Sequence, residues 1–195
     1  MILEYWSPKI IGYLDNPNHK KIDTKLIKVC NNLQKKIKKG GDYWISNKIY
    51  NTLNNYNIHK DNNFKILYDW IFQCVIEYAN KLKYKPDFKC VESWFNIYKK
   101  NDYQEFHTHS MSSLSAVYFL KSDSEKSSKI YFKVRRDNTL SDPVITSSDS
   151  IDYPLVWYKA VPGRLLIFKS NLPHSVAMSN EDDTRISLAF NFYNK

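Results

Sequence analysis

Three observations in the 195-residue sequence predict helices packed against a β-sandwich or jelly roll. Two segments of the first half repeat apolar residues at helical spacing, and after Pro86 the pattern turns to short β-branched and aromatic runs. Those runs are separated by Ser, Asp, Asn, Pro or Gly turns. With 43% hydrophobic and 15% aromatic side chains, the chain can bury one sizeable core without disulfides. A single domain over 1–195 is expected, with 1–88 as a helical or mixed buttress and 89–195 as the β core.

The first helix is expected from Asp23 to about Lys39, where Leu26, Ile27, Val29, Cys30, Leu33 and Ile37 recur, with Asp23 or Thr24 as cap and Gly40-Gly41 as stop. The second is expected over Asn63 to Leu82, with Phe64, Leu67, Tyr68, Ile71, Phe72, Val75, Ile76 and Ala79 on one face. Strands are expected at Cys90–Lys99, Leu114–Lys121, Lys129–Val134, Leu155–Lys159, Arg164–Lys169 and Arg185–Tyr193. The Ser/Asp/Thr-rich stretch from Asp137 to Tyr153 is a candidate lid.

Charge narrows the function classes. Residues 1–100 carry 18 Lys and 9 acids, whereas 101–195 carry 11 basic and 11 acidic side chains, so the net +9 belongs to the first half. All four Arg lie in the second half, and the basic half therefore lacks the planar fork that reads bases and phosphates bidentately. No zinc-finger, RRM or helix-turn-helix signature is present, and nucleic acid is not the expected partner. Cys30, Cys74 and Cys90 are odd in number and widely spaced, which reads as intracellular thiols and a cytoplasmic location. No apolar run reaches the roughly 18–20 residues of a membrane span.

Of five histidines, His19 and His59 sit in polar surroundings and are expected at the surface. His107 and His109 flank one residue, so in an extended strand both imidazoles share a face and could reach one metal. His174 follows 65 residues after His109, behind Pro173 at the end of an expected strand. Neutral imidazoles suit Fe(II), Zn(II), Cu(II) and Ni(II), and ligand type does not choose among them. Eleven residues beyond His174, Arg185 opens the last expected strand with Ser187 on the same face. A guanidinium beside a hydroxyl can receive a carboxylate. The alternative is a strand-end Arg paired with Glu181, Asp182 or Asp183.

Three blocks extend these observations. Trp94 to Leu120 contains His107-Thr-His109 and Leu114-Ser-Ala-Val-Tyr-Phe-Leu120; Gly163-Arg-Leu-Leu-Ile-Phe-Lys-Ser170 leads to His174-Ser-Val176; and Arg185-Ile-Ser-Leu-Ala-Phe-Asn191 closes the series. In order and spacing they resemble the 2-oxoglutarate-Fe(II) oxygenase family of marine bacteria and their tailed phages, which reads H-x-H, L-S-G-x-Y-Y-L, G-x-L-x-x-F-P-S, H-x-V and R-x-S-x-x-F-N. The likeness covers residues 94–191, about half the chain. It implies a double-stranded β-helix, a distorted jelly roll with buttressing helices, together with Fe(II), 2-oxoglutarate as cosubstrate and molecular oxygen. By residue, it implies His107 and His174 as iron ligands and Arg185 with Ser187 as the anchor of the distal carboxylate. Asn96 and Tyr98 match positions that contact the oxoacid in related nucleic-acid demethylases. Hydroxylation of a protein side chain such as proline, or of a small molecule, is the implied reaction.

The departures matter. Most of the wider superfamily reads H-x-D, and here His109 stands at the Asp position, with Glu105 and Asp102 as alternative carboxylates. A neutral third ligand leaves the centre more positive. Ala116 replaces a Gly and Lys169 replaces the Pro before Ser170, which would put a positive charge near the mouth. Rival readings are a three-histidine cupin-type dioxygenase without 2-oxoglutarate and an inactive oxygenase fold used as a binding module.

Overall fold

The computed structural model describes residues 1–2, 8–41, 45, 48–123, 125–126, 128–134 and 153–194. Two antiparallel sheets face each other. The larger has the order β1-β8-β5-β10-β3-β2, from β1 (Ile11–Asp15), β2 (Tyr50–Asn51), β3 (Phe88–Tyr98), β5 (Leu114–Lys121), β8 (Arg164–Lys169) and β10 (Arg185–Asn194). The smaller runs β4-β9-β6-β7, from β4 (Gln104–His107), β6 (Lys129–Lys133), β7 (Leu155–Lys159) and β9 (His174–Val176). Successive strands from β3 onward alternate largely between the sheets, giving the expected jelly roll.

Period-two alternation sorts the larger sheet into two functional faces. On β10, Ile186, Leu188, Phe190 and Phe192 join the cluster beneath the helices, while Arg185, Ser187 and Asn191 occupy the opposite face. Both helices, α1 (His19–Gln34) and α2 (Lys65–Lys81), pack on the first face through Leu26, Cys30, Leu67, Ile71, Val75 and Ala79. A second cluster of Phe119, Ile130, Phe132, Leu166, Phe168 and Leu172 fills part of the space between the sheets. The same chamber between the sheets also holds the buried polar side chains Asn96, His174, Arg185 and Ser187.

Gly163 turns the chain into β8 at a φ of +84°, where an added Cβ would lie 2.5 Å from Cγ of His19. No described helix is long and apolar enough to cross a membrane. The candidate lid from Asp137 falls, except for Tyr153, outside the described residues.

Helix α1 begins four residues before the expected cap because Asp23 has another duty. Its Oδ1 accepts a 2.8 Å bond from the Tyr118 hydroxyl and its Oδ2 lies 3.3 Å from Nδ1 of His19. Tyr118 therefore faces the helices rather than the chamber. Burial raises the Asp23 pKa to about 6, against the opposing pull of the bonds from Tyr118 and His19. The folded state thus binds more protons than the unfolded chain between about pH 4 and pH 6. Stability from this group is complete below the ordinary pKa of 3.8 and is lost as the pH rises through about 6. The loss should be roughly 1–3 kcal/mol. Asp23→Asn keeps an acceptor for Tyr118, so denaturant midpoints should show no such decline and exceed wild type at pH 8; a variant weaker than wild type at pH 8 would contradict this account.

Candidate metal centre

Two distant parts of the chain bring three histidines together in the chamber. His107 ends β4 and pairs in register with His174, the first residue of β9. His109, two residues beyond the strand, is fixed by its backbone N–H donating to the Ser170 carbonyl at 2.9 Å. One ligand atom from each ring lies within 4.8 Å of the others, and this is the metal-competent group of three found among the described residues.

Backbone carbonyls set the tautomers of two rings. Nδ1 of His107 lies 2.8 Å from the Glu105 carbonyl, and Nδ1 of His174 lies 3.0 Å from that of Leu172. A carbonyl only accepts, so in each ring Nδ1 carries the proton and Nε2 the lone pair. His174 is 3% exposed. Burial lowers the pKa of all three imidazoles, to about 3 for His109, where the neighbouring His107 adds to the effect. Neutral rings are the ligating form. Trp94 lies edge-on to His109 with ring centroids 5.7 Å apart.

The carboxylates considered as alternatives stand outside this group of three. Glu105 Oε1 accepts from the Ile45 N–H at 2.7 Å, while its Oε2 is buried without a hydrogen-bond partner among the described residues. Asp102 accepts from the Lys99 N–H at 2.8 Å and shapes the turn before β4.

Arg185 is 1% exposed and lies between two rings, its guanidinium carbon 4.9 Å from the Tyr98 centroid and 5.3 Å from that of Phe119. One nitrogen donates to the Ser128 carbonyl at 3.2 Å and also to the Ser128 hydroxyl. Nε is buried with no hydrogen-bond partner among the described residues. Among the described residues no carboxylate lies within 4.0 Å of it. The three acids weighed as partners are placed otherwise: Asp182 contacts Lys100 and Lys126, Asp183 contacts Lys121, and Glu181 accepts from the Asp123 N–H. Glu181 is 2% exposed, and burial raises its pKa despite the attraction of Arg185.

Register places the other expected residues beside this guanidinium. Arg185 pairs with Tyr98 and Ser187 with Asn96 across β10 and β3. The Asn96 amide donates to Ser187 Oγ at 3.5 Å. The Tyr98 hydroxyl donates to Gln104 Oε1 at 3.2 Å, which ties this corner to the strand that carries His107.

Three expectations are corrected. His59 is half-buried, with Nδ1 2.7 Å from Ser93 Oγ, and His19 is half-buried against Asp23. Lys169 has its amine over the Tyr84 ring at 5.3 Å, on the helix side of the sheet rather than at the mouth. Sequence reading missed the roles of Ser128 and Gln104, which carry no motif signal.

The residues present fit iron and 2-oxoglutarate on two counts. Three neutral imidazoles converge, and a desolvated guanidinium has an Nε without a hydrogen-bond partner among the described residues, which a carboxylate would supply. The fold itself is shared with solved oxygenases. A Pseudomonas putida prolyl-4-hydroxylase is 13% identical, with a TM-score of 0.67 over 96% of this chain and 94% of that one. The 2-oxoglutarate-dependent carbocyclase SnoK of nogalamycin biosynthesis is 12% identical, with a TM-score of 0.68 over 95% and 80%. A Trichoplax adhaerens prolyl hydroxylase, solved with a hypoxia-inducible-factor peptide, is 11% identical, with a TM-score of 0.61 over 94% and 83%. No curated protein sequence matches the chain. The sequence profile of the family described as "Putative 2OG-Fe(II) oxygenase" matches residues 92–191, just over half the chain and the stretch that bears every residue of this site. The chain belongs to that family, and is an oxygenase that works with Fe(II) and 2-oxoglutarate.

Proposed function

We propose that the protein hydroxylates a C–H bond of a peptide-borne side chain, proline being the first candidate, in the cytoplasm. In this reading His107, His109 and His174 hold the iron, Arg185 and Ser187 hold the distal carboxylate of 2-oxoglutarate, and Asn96 and Tyr98 flank the oxoacid. The observation that carries it is the pairing of a three-imidazole cluster with a buried Arg185, its Nε without a hydrogen-bond partner among the described residues, between the same two sheets. The prolyl hydroxylases among the structural neighbours support a peptide substrate.

Bound iron supplies the oxidative chemistry, in which 2-oxoglutarate and oxygen become succinate, carbon dioxide and an oxygen atom on the substrate. The protein's own residues bind and orient. Glu105 and Leu172 carbonyls keep two rings in the ligating tautomer. Tyr98 and Phe119 strip water from Arg185, which strengthens its bond to a carboxylate. Phe132 and Phe168, with centroids 5.9 and 4.8 Å from His174, keep the inner wall of the chamber dry. No separate general acid or base is required.

Incubation of peptides and metabolites with the protein, Fe(II) and 2-oxoglutarate should give a gain of about 16 Da, one inserted oxygen atom, on prolyl peptides. A gain confined to small metabolites would contradict the peptide assignment.

A further inference from the structure

Three polar residues of the sequence blocks have no role in holding iron or 2-oxoglutarate: Ser115 of Leu-Ser-Ala, Ser170 of Phe-Lys-Ser and Asn191 of Phe-Asn. They lie on β5, just after β8 and on β10, and the sheet brings them together. Asn191 pairs in register with both Ser115 and Glu92. Ser170 Oγ is 2.9 Å from Ser115 Oγ, Ser115 donates to Asn191 Oδ1 at 2.8 Å, and the Asn191 amide donates to Glu92 Oε2 at 2.9 Å. A hydroxyl has one proton. Ser115 gives its proton to Asn191, so Ser170 must donate to Ser115, and the series runs in one direction from Ser170 to the Glu92 carboxylate.

The upstream end of this relay is the residue that grips the metal centre. The Ser170 carbonyl accepts the His109 N–H at 2.9 Å, and the Ser170 N–H donates to the Ser113 carbonyl at 3.1 Å. The Ser112 N–H returns to the His109 carbonyl at 3.2 Å. Next to Ser170, the Lys169 carbonyl accepts from the Leu172 N–H at 2.9 Å, and Leu172 in turn orients His174. Ser170 thus sits between the supports of two candidate ligands. Ser115, Ser170 and Asn191 are all buried, each in a position that an apolar side chain could fill. Satisfied buried polar groups add little net stability over apolar replacements of the same shape. What a directed chain of such groups provides is a single geometry.

We infer that Ser170, Ser115, Asn191 and Glu92 form a positioning relay for His109, locking in place the imidazole that stands where relatives of the wider superfamily carry a carboxylate. An aspartate can reach a metal through either oxygen, whereas an imidazole must be aimed, and a neutral ligand brings no charge attraction to correct a poor angle. This inference rests on the reading of His109 as a ligand.

Anaerobic titration with Co(II), read by visible absorption, tests it without turnover. Ser115→Ala should raise the Co(II) dissociation constant roughly tenfold, the low end of what outer-shell losses cost, and shift the ligand-field bands. Ser170→Ala removes the first link and should do the same, and it decides the question if Ser115→Ala does not fold. Leu188→Ala, on the helix face of β10, should lower the melting temperature while leaving affinity and spectrum unchanged. Wild-type affinity and spectrum in both serine variants would overturn the relay, as would an equal change in Leu188→Ala. Failure of the wild-type protein to bind Co(II) would overturn the three-histidine centre itself, and the relay with it.

Discussion

Arg185→Ala is expected to weaken 2-oxoglutarate binding about 10- to 150-fold, the loss of a charge-assisted anchor worth roughly 1.5–3 kcal/mol. The physical reason is the setting of this guanidinium. It is buried between Tyr98 and Phe119 and, among the described residues, hydrogen-bonds Ser128 and leaves Nε without a partner. Burial has already stripped its water, so a carboxylate gains more here than it would at the surface. Because no described carboxylate lies within 4.0 Å of the ion and only the longer-range attraction of Glu181 opposes its desolvation, its removal takes away a desolvation cost along with the packing. The variant should therefore lose cosubstrate affinity far more than thermal stability. Arg185→Lys keeps the charge but not the planar fork, and should fall between the two. Isothermal titration of the Fe(II)-loaded protein under anaerobic conditions measures both, and unchanged affinity in Arg185→Ala would place the cosubstrate elsewhere.

Loss of iron is the second large effect. His107→Ala and His174→Ala each remove one of the two rings that face each other in register across β4 and β9, and each should reduce Fe(II) affinity by more than the roughly 10- to 100-fold that an outer-shell partner costs. His109→Ala should do the same. Glu105→Ala should not, because one oxygen of that carboxylate serves the Ile45 N–H and the group stands outside the three-imidazole cluster. Iron content after anaerobic loading and desalting separates these outcomes. If Glu105→Ala alone sheds the metal, a carboxylate completes the centre and His109 has another role.

Strong local patterns made much of this architecture legible in the sequence. Leu114–Lys121, Leu155–Lys159 and Arg164–Lys169 are strands with the expected bounds, because apolar or β-branched residues occupy whole faces and turn residues end them. Strands β1, β2, β4 and β9 have two to five residues and owe their form to pairing across the sheets, a long-range cause that local pattern does not carry. Gly12 in β1 illustrates this: a Cβ there would meet the Tyr78 ring at 2.7 Å, a reason written 66 residues away. Asp23 reads as a helix cap because acids usually serve there, and only the fold brings Tyr118 to it.

The site divides in the same way. His107, His109 and His174 stand out as metal candidates from spacing and residue type, and Arg185 with Ser187 as a carboxylate receptor, with an acid-paired Arg as the alternative. The partner of Arg185 was not legible, since three acids on the preceding loop are equally near in sequence and only their pairing with Lys100, Lys121, Lys126 and the Asp123 backbone separates them from it. The order of Ser170, Ser115, Asn191 and Glu92 depends on which strands are neighbours, and a linear reading shows them only as letters in separate blocks.

The most direct test of the account is anaerobic titration of the Fe(II)-loaded protein with 2-oxoglutarate, followed by visible absorption and then by succinate release on admission of oxygen. Chelation of iron by the keto acid should produce a metal-to-ligand charge-transfer band that saturates with one equivalent per chain, requires much more cosubstrate in Arg185→Ala, and precedes succinate formation. A protein that binds iron yet shows neither the band nor succinate would contradict the assignment of this chamber to 2-oxoglutarate chemistry.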